Sequence, residues 1–258
     1  MALSLLGTLL LAAIAFLAPL AVLLLLRVRT PQERTVHLML GASAGLLLGI
    51  SLLELLPESF EIAAGATPPL DARVVSLSVA AGFLGLLIVE RYLLHRAGAL
   101  SAHYEEGREI RPFGTLAMGA LVIHGLIDGI VIPLGFAVSS ATGLLVATAV
   151  VLHQIPDAFA AFAFAASQGE DRRRVVRYVI LGALDTPVGM VLGLFLVNYF
   201  TPSWVALALA FSAGTFLFVS AADIIPELQH KAQSLTVTIS IGAGLLLVAL
   251  LAFFLPGV

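Results

Sequence analysis

The chain has 258 residues, of which 60% are hydrophobic and 11% charged, with a net charge of −3 and no cysteine. Soluble domains carry about 25% charged residues and about 45–50% apolar ones, so this composition lies outside their class. A soluble fold of this length has too little interior for so many apolar side chains. The lack of cysteine excludes a disulfide scaffold, and the low charge excludes a disordered chain. The net charge of −3 and the lack of a basic stripe apart from the loops give nucleic-acid binding no support. The composition predicts an integral membrane protein.

Eight apolar stretches are long enough to cross a bilayer, because a membrane-spanning helix needs roughly 20 apolar residues. Charge clusters and Pro or Gly breaks separate these stretches, and only short connectors remain between them. We therefore predict an all-α integral membrane protein with one transmembrane domain over residues 1–258. The predicted spans cover about residues 3–26, 36–57, 73–95, 113–137, 141–167, 174–199, 203–226 and 234–255.

The basic residues of the connectors predict the orientation, since cytoplasmic loops carry an excess of Lys and Arg. Of the 13 Lys and Arg residues, all but Arg73 lie in the odd-numbered connectors or at the span ends next to them. We therefore expect the odd-numbered connectors to face the cytoplasm and both termini to lie outside.

The second and seventh predicted spans share a sequence pattern. A shift of 169 residues places Ser43-Ala44-Gly45 on Ser212-Ala213-Gly214, Ser51 on Ser220, and Pro57-Glu58 on Pro226-Glu227. Spans five apart run in opposite directions, so the two copies would be inverted, as in secondary transporters. Chance recurrence of small packing residues is the alternative. We predict an inverted repeat that relates spans 1–3 to spans 6–8.

Two His–Asp pairs lie inside predicted spans, where each ionisable side chain costs roughly 2.5–3.5 kcal/mol or more. His124 and Asp128 in span four, and His153 and Asp157 in span five, are each one helical turn apart on one face. A single pair could be a hydrogen bond that seals a helix interface. Two pairs on neighbouring antiparallel spans can face each other. Imidazole and carboxylate together suit Zn²⁺ and other divalent first-row cations, so the pattern favours a metal site.

Further acids lie in or near the predicted spans. Asp185 precedes Thr186 and Pro187 in span six, where a neighbouring Ser or Thr could satisfy it instead of a metal. Four carboxylates lie near the ends of spans two and seven and would mark the two mouths of a cation path. They are Glu54 and Glu58 toward the outside, and Asp223 and Glu227 toward the cytoplasm. The second acid of each span could instead lie among lipid headgroups.

These motifs resemble those of the ZIP (Zrt-, Irt-like protein) family of divalent-metal transporters over essentially the whole chain. The motifs that carry the resemblance are His124–Gly129, His153–Asp157, Asp185–Pro187, Leu52–Glu58 and Ala213–Glu227. The resemblance implies a cell-membrane protein that takes up Zn²⁺, or Fe²⁺, Mn²⁺ or Cd²⁺, toward the cytoplasm through a mid-membrane site. The principal ligands it implies are His124, Asp128, His153 and Asp157.

The resemblance also implies a weaker second metal site, from which this chain departs. Family members usually have Asn where Gly125 stands and an acid where Gln154 stands. Gln154 and Asp185 would remain for that site, so we predict one strong site. Relatives in the family dimerise, so the resemblance implies a homodimer as one option, although no span shows a small-residue face that marks an interface.

Two other functions fit part of the pattern. A membrane-embedded zinc hydrolase would use a His/Asp-bound Zn²⁺ to activate water. Catalytic zinc keeps an open position, however, and the chain has no HExxH motif. A structural metal site would need neither acidic mouths nor an inverted repeat. We predict a transporter rather than an enzyme, with a divalent metal ion and membrane lipid as its partners, and no organic cofactor or nucleic acid.

Overall fold

A computed structural model describes residues 5–28, 33–96, 113–138, 172–231 and 235–254, together with individual helical residues between 140 and 162. Across these residues the protein is helical and contains no strand. Most of the fifth predicted span lies outside the described residues, and so do His153 and Asp157.

The helices follow one another with short connections between them. In chain order they are α1 (Leu5–Val28), α2 (Glu33–Ile50), α3 (Leu56–Gly65), α4 (Ala72–Arg96), α5 (Phe113–Val138), α6 (Arg172–Leu196), α7 (Pro202–Leu217), α8 (Ile225–Lys231) and α9 (Leu235–Phe254). A π-helical segment, π1 (Ser51–Leu55), joins α2 to α3, and a second, π2 (Phe218–Ile224), joins α7 to α8. One 3₁₀ turn (Val197–Tyr199) extends α6.

Within the described part of the chain, five helical stretches are long and apolar enough to cross a membrane. They are Gly7–Leu24, His37–Gly65, Ala72–Tyr92, Arg173–Tyr199 and Pro202–Ala222. Val122–Ala137 and Leu235–Leu250 are apolar but shorter. The protein is therefore of the helical membrane type that its composition predicts.

The two π-helical segments occupy related positions in the sequence. The shift of 169 residues moves Ser51, the first residue of π1, onto Ser220 in π2. The same shift moves Leu55, the last residue of π1, onto Ile224, the last residue of π2. Because π segments inside α-helices are uncommon, a matched pair argues for a common construction of these two stretches.

A proline follows each π segment as the second residue of the next α-helix, Pro57 in α3 and Pro226 in α8. The helix is continuous through each of these places, because the residue just before the proline is helical and its N–H bonds five residues back, Leu56 to Ser51 O and Ile225 to Ser220 O. Each proline thus directly follows a widened π turn. The chain therefore continues as α3 past residue 57, where the sequence predicts the end of the second span, and stays helical to Gly65.

α2 and α9 approach so closely that their contact requires glycine. A Cβ atom at Gly45 would overlap the carbonyl group of Ile241, and one at Gly244 would overlap the carbonyl group of Ala42. Gly41 contacts Val237, Gly45 contacts Ile241 and Gly49 contacts Val248, so the contacts ascend both helices and the two run parallel. Small residues at such crossings let helix backbones pack directly on each other in a membrane protein.

α4 and α7 cross in the same way. A Cβ atom at Gly82 would overlap the carbonyl group of Phe211, and one at Gly214 would overlap the carbonyl group of Val79. The four residues of this crossing correspond one to one to the four of the α2–α9 crossing, under shifts of 169 residues between α2 and α7 and 162 residues between α4 and α9. The two crossings are thus built from corresponding residues.

α7 lies at the centre of the bundle, where it contacts α2, α3, α4 and α5. Its buried apolar residues form much of the core: Val205, Ala206, Leu209, Ala210, Ala213 and Phe216. A helix enclosed by several others can carry polar side chains only where partners satisfy them. The hydroxyl groups of α7 therefore indicate where the polar centre of the protein lies.

Candidate metal site

α5 brings His124 and Asp128 together in the interior. The two side chains are one turn apart on this helix, and their exposed fractions are 0% and 3%. His124 Nε2 lies 2.7 Å from Asp128 Oδ2. An imidazole nitrogen and a carboxylate oxygen thus face each other on one side of α5, as their spacing predicts, and both are atoms that bind Zn²⁺.

Two hydroxyl groups of α7 contact the two atoms of this pair that do not face each other, Nδ1 of His124 and Oδ1 of Asp128. His124 Nδ1 lies 2.6 Å from Thr215 Oγ1. Ser212 Oγ donates a hydrogen bond to Asp128 Oδ1. Thr215 Oγ1 in turn donates to the carbonyl oxygen of Ser212, at 2.7 Å. Each residue of the His–Asp pair is therefore held by one side chain of α7.

The sequence reasoning missed both hydroxyl residues. Ser212 and Thr215 are three positions apart and so share one face of α7. Ser212 also belongs to the repeated Ser-Ala-Gly pattern. Two hydroxyls on one face of a membrane helix were the available signal, since polar side chains at such depth turn toward polar partners.

Phe216 closes the third side of the imidazole. Its ring centre lies 3.7 Å from that of His124, with the planes tilted by 51°, and its side chain is fully buried. An aromatic ring at this distance prevents water from reaching that face of the histidine. The contact between His124 and Asp128 is therefore shielded from water on this side.

The carboxylate of Asp185 is also buried, with 7% of the residue exposed, and it lies against α5 at Gly125. A Cβ atom at Gly125 would overlap the Asp185 carboxylate. Asp185 Oδ1 accepts hydrogen bonds from the backbone N–H of Thr186 at 2.5 Å and from the Thr186 hydroxyl at 3.2 Å. A neighbouring threonine thus satisfies this acid, as one of the two sequence-based interpretations expects.

Gln154 joins the same network. Its Nε2 donates to Thr186 Oγ1 at 2.5 Å, and 5% of the residue is exposed. Since Thr186 donates onward to Asp185, the three side chains form a chain of hydrogen bonds that links the fifth predicted span to α6. The structure thus brings Gln154 and Asp185 together, through Thr186.

The remaining predicted ligands are His153 and Asp157, which lie outside the described residues. Among the residues that are described, no three His, Asp or Glu side chains converge on one point. The described part of the candidate site therefore consists of one imidazole and one carboxylate on α5, held by α7.

The four acids predicted at the mouths lie on the two π-interrupted stretches. Glu54 is in π1 and Glu58 in α3, and both are partly exposed. Asp223 is in π2 and Glu227 in α8, and for these two the backbone alone is described. Each pair thus has one acid inside the π segment and one in the α-helix after it.

Comparison with known proteins identifies relatives of the chain. A family model described as "ZIP Zinc transporter" matches residues 95–252. The zinc transporter ZIP13 of Pongo abelii is 29% identical over 230 residues, which cover 84% of this chain and 66% of the relative. The metal cation symporter ZIP14 of Bos taurus is 26% identical over 172 residues, covering 66% and 32%. The zinc transporter YKE4 of Saccharomyces cerevisiae is 24% identical over 232 residues, covering 80% and 65%.

The chain spans about a third of the length of ZIP14 and about two thirds of the lengths of ZIP13 and YKE4. The names of these relatives describe transporters or symporters of metal ions, and none of them describes an enzyme. The hydrolase considered from the sequence therefore finds no support among them.

Proposed function

The chain belongs to the ZIP zinc transporter family, and on this premise we propose that it is a permease that carries Zn²⁺ across a membrane toward the cytoplasm. The buried His124–Asp128 pair is the observation that carries the proposal. A pair of potential ligands is costly inside a bilayer, so its presence there argues for a function in ion passage. The family match includes this pair, and the names of the relatives describe metal or zinc transport.

The proposed ion site consists of His124 and Asp128 from α5 together with His153 and Asp157 from the fifth span. Two imidazole nitrogens and two carboxylate oxygens make a four-ligand set of the kind that Zn²⁺ accepts. Imidazole also discriminates against Mg²⁺ and Ca²⁺, which prefer oxygen ligands. Fe²⁺, Mn²⁺ and Cd²⁺ are the competing substrates to test against Zn²⁺.

A second ion would bind only weakly at Gln154 and Asp185. The Gln154 amide donates a hydrogen bond toward Thr186, and Thr186 donates toward Asp185. The network thus already engages the Asp185 carboxylate with hydrogen-bond donors of the protein. A metal at this place would have to displace those donors, which supports the proposal of one strong site.

The proposed path crosses the membrane between two inverted halves of eight spans in total. The matched glycine crossings and the matched π segments support this arrangement. In them, corresponding residues relate spans 2 and 3 to spans 7 and 8. In such repeats one half rocks against the other around a fixed site. Glu54 and Glu58 would attract the cation at the outer mouth, and Asp223 and Glu227 would receive it at the inner mouth.

The protein is proposed to reside in the cell membrane with lipid around it. Large apolar side chains on the outside of the helices support contact with lipid; Leu77, Phe195 and Ile239 are 67%, 74% and 60% exposed. A homodimer is the assembly proposed from the resemblance to the family.

Uptake of ⁶⁵Zn²⁺ into proteoliposomes tests the proposed function. We expect saturable uptake by the wild type, and uptake no greater than that of empty liposomes for His124→Ala and His153→Ala, since each loses a ligand. His37→Ala removes a histidine that lies outside both pairs and serves as the control. Competition by Fe²⁺, Mn²⁺ and Cd²⁺ ranks the substrates. Undiminished uptake by His153→Ala would contradict the proposed ligand set, and absent uptake by folded wild type would contradict the permease.

The orientation can be tested on the same chain because it contains no cysteine. Single cysteines at Arg34 and Arg73 would lie in connectors that are proposed to face opposite sides. In intact cells a membrane-impermeant maleimide should label Arg73→Cys and leave Arg34→Cys unlabelled until the cells are opened. The reverse pattern would invert the proposed direction of the whole protein.

A further inference from the structure

We propose that Ser212 and Thr215 of α7 are positioning residues that determine which atoms of His124 and Asp128 face the ion. The inference rests on the proposed function, in which the two α5 residues are ligands. It assigns a role to a helix that contributes no ligand itself.

The Thr215 hydroxyl has a single proton, and the geometry settles where it points. Thr215 Oγ1 lies 2.7 Å from the carbonyl oxygen of Ser212, which can only accept a hydrogen bond. The hydroxyl proton is therefore donated to Ser212. Toward His124 Nδ1, at 2.6 Å, the same oxygen must act as the acceptor.

It follows that His124 carries its proton on Nδ1. A protonated Nδ1 has no lone pair for a metal, so the metal-binding nitrogen is Nε2. Nε2 is also the nitrogen that lies 2.7 Å from Asp128 Oδ2. Histidine ligands commonly donate their other N–H to a fixed acceptor, which sets both the tautomer and the ring orientation. Thr215 is that acceptor in this protein.

Ser212 acts in the same way on the carboxylate. Its hydroxyl donates to Asp128 Oδ1, which turns the second oxygen, Oδ2, toward His124. In each side chain the other polar atom, Nδ1 of His124 or Oδ1 of Asp128, is bonded to α7, and the remaining atoms, Nε2 and Oδ2, face each other. One turn of α7 orients both side chains of the pair.

The segment of α7 that carries these hydroxyls is itself held from two further sides. Ser51 Oγ, in π1, donates to the carbonyl oxygen of Ala213 at 2.8 Å. Gly214 packs directly against the backbone of α4 at Val79. Because its neighbours restrain it, this turn of α7 can hold the two ligands in one geometry, which a loosely packed helix would not do.

The test measures Zn²⁺ affinity of the full chain in detergent, by competition with a fluorescent zinc chelator. Thr215→Val keeps the shape and removes the hydroxyl, and we expect it to weaken Zn²⁺ binding by about 10–100-fold, the range found when partners of metal-bound histidines are lost. Ser212→Ala should fall at the lower end of that range. Thr215→Ser restores the hydroxyl and should return the affinity to within about threefold of wild type. Ser220→Ala, which removes a buried hydroxyl that donates to carbonyl oxygens of its own helix, is the matched control.

A double-mutant cycle separates positioning from general damage to the fold. If Thr215 acts through His124, Thr215→Val should have no further effect on Zn²⁺ affinity in a His124→Ala background. Equal losses in both backgrounds, or full affinity in Thr215→Val, would overturn the proposal. Wild type that binds Zn²⁺ but does not transport it would contradict the permease alone, since the affinity ratios would still decide the role of Thr215. Wild type that binds no Zn²⁺ would overturn both.

Discussion

The second and seventh spans share the residues that pack their helices but differ in the polar residues that lie at the centre of the bundle. Both contain Ser-Ala-Gly, a glycine crossing and a π segment that is followed by proline. α7 also carries Ser212 and Thr215, which contact the histidine and the aspartate of α5. The corresponding residues of α2 are Ser43 and Leu46.

This difference distinguishes the residues that pack the helices, which both stretches contain, from those that contact the candidate site, which only α7 contains of the two. The repeated glycines serve both copies, because each copy must bring a helix backbone close to its neighbour. At the position in α2 that corresponds to Thr215 stands Leu46, which has no hydroxyl, so α2 cannot make the same hydrogen bond to an imidazole. A repeat can therefore preserve the fold while one copy alone acquires the contact with the candidate site.

The largest expected effect comes from filling the two glycine crossings. Gly45→Ala and Gly214→Ala each place a methyl group where a backbone carbonyl lies, so the helices must separate. Overpacking of this kind costs about 1–3 kcal/mol, and we expect similar losses for both variants in the free energy of unfolding in detergent. Gly242→Ala, in α9, enters open space and should gain about 0.5–1 kcal/mol as a control. A loss confined to one crossing would break the equivalence of the two halves.

A smaller effect should follow at the contact between α5 and α6. Gly125→Ala meets the carboxylate of Asp185, a side chain that can rotate away, whereas Gly129→Ala meets the backbone of Thr186 and Gly189. We expect Gly125→Ala to cost about 0.5–1.5 kcal/mol, the price of one displaced rotamer, and Gly129→Ala to cost more. Unfolding of both variants in the same detergent measures the difference. Equal losses would mean that Asp185 is held as rigidly as the backbone.

The smallest expected effect distinguishes the two repeat-related serines. Ser51 donates across the interface to Ala213, whereas Ser220 donates to carbonyl groups of its own helix, Phe216 and Leu217. Removal of an interhelical hydrogen bond in a membrane protein costs about 0.6 kcal/mol on average. Ser51→Ala should show that loss in unfolding experiments. Ser220→Ala should lose less, since alanine has the higher helix propensity; a larger loss for Ser220→Ala would contradict the asymmetry seen here.

Much of the helical architecture could be predicted from the sequence because it depends on local composition. α4 and α9 begin and end within one or two residues of the predicted third and eighth spans. The continuation of the second stretch to Gly65 was not predicted. Pro57 suggests a helix end, whereas in the structure the helix continues through the proline directly after the π segment.

The candidate site was partly predictable for the same reason. His124 and Asp128 are one turn apart on one helix, so their contact needs no knowledge of the remaining chain. Thr215 lies 91 residues from His124, and Ser212 lies 84 residues from Asp128. Local spacing carries no information about which helix approaches α5 at that level.

The sequence by itself therefore determined the membrane class, the positions of helices such as α4 and α9, and the histidine–aspartate pair. Each of these depends on apolar runs or on residues within one helical turn, where every backbone hydrogen bond is made locally. Only the tertiary structure decided that α7 supplies the hydroxyls that hold the pair. That choice depends on how closely helices approach, and the approach depends on glycines such as Gly214, whose partner at Val79 lies far away in the chain.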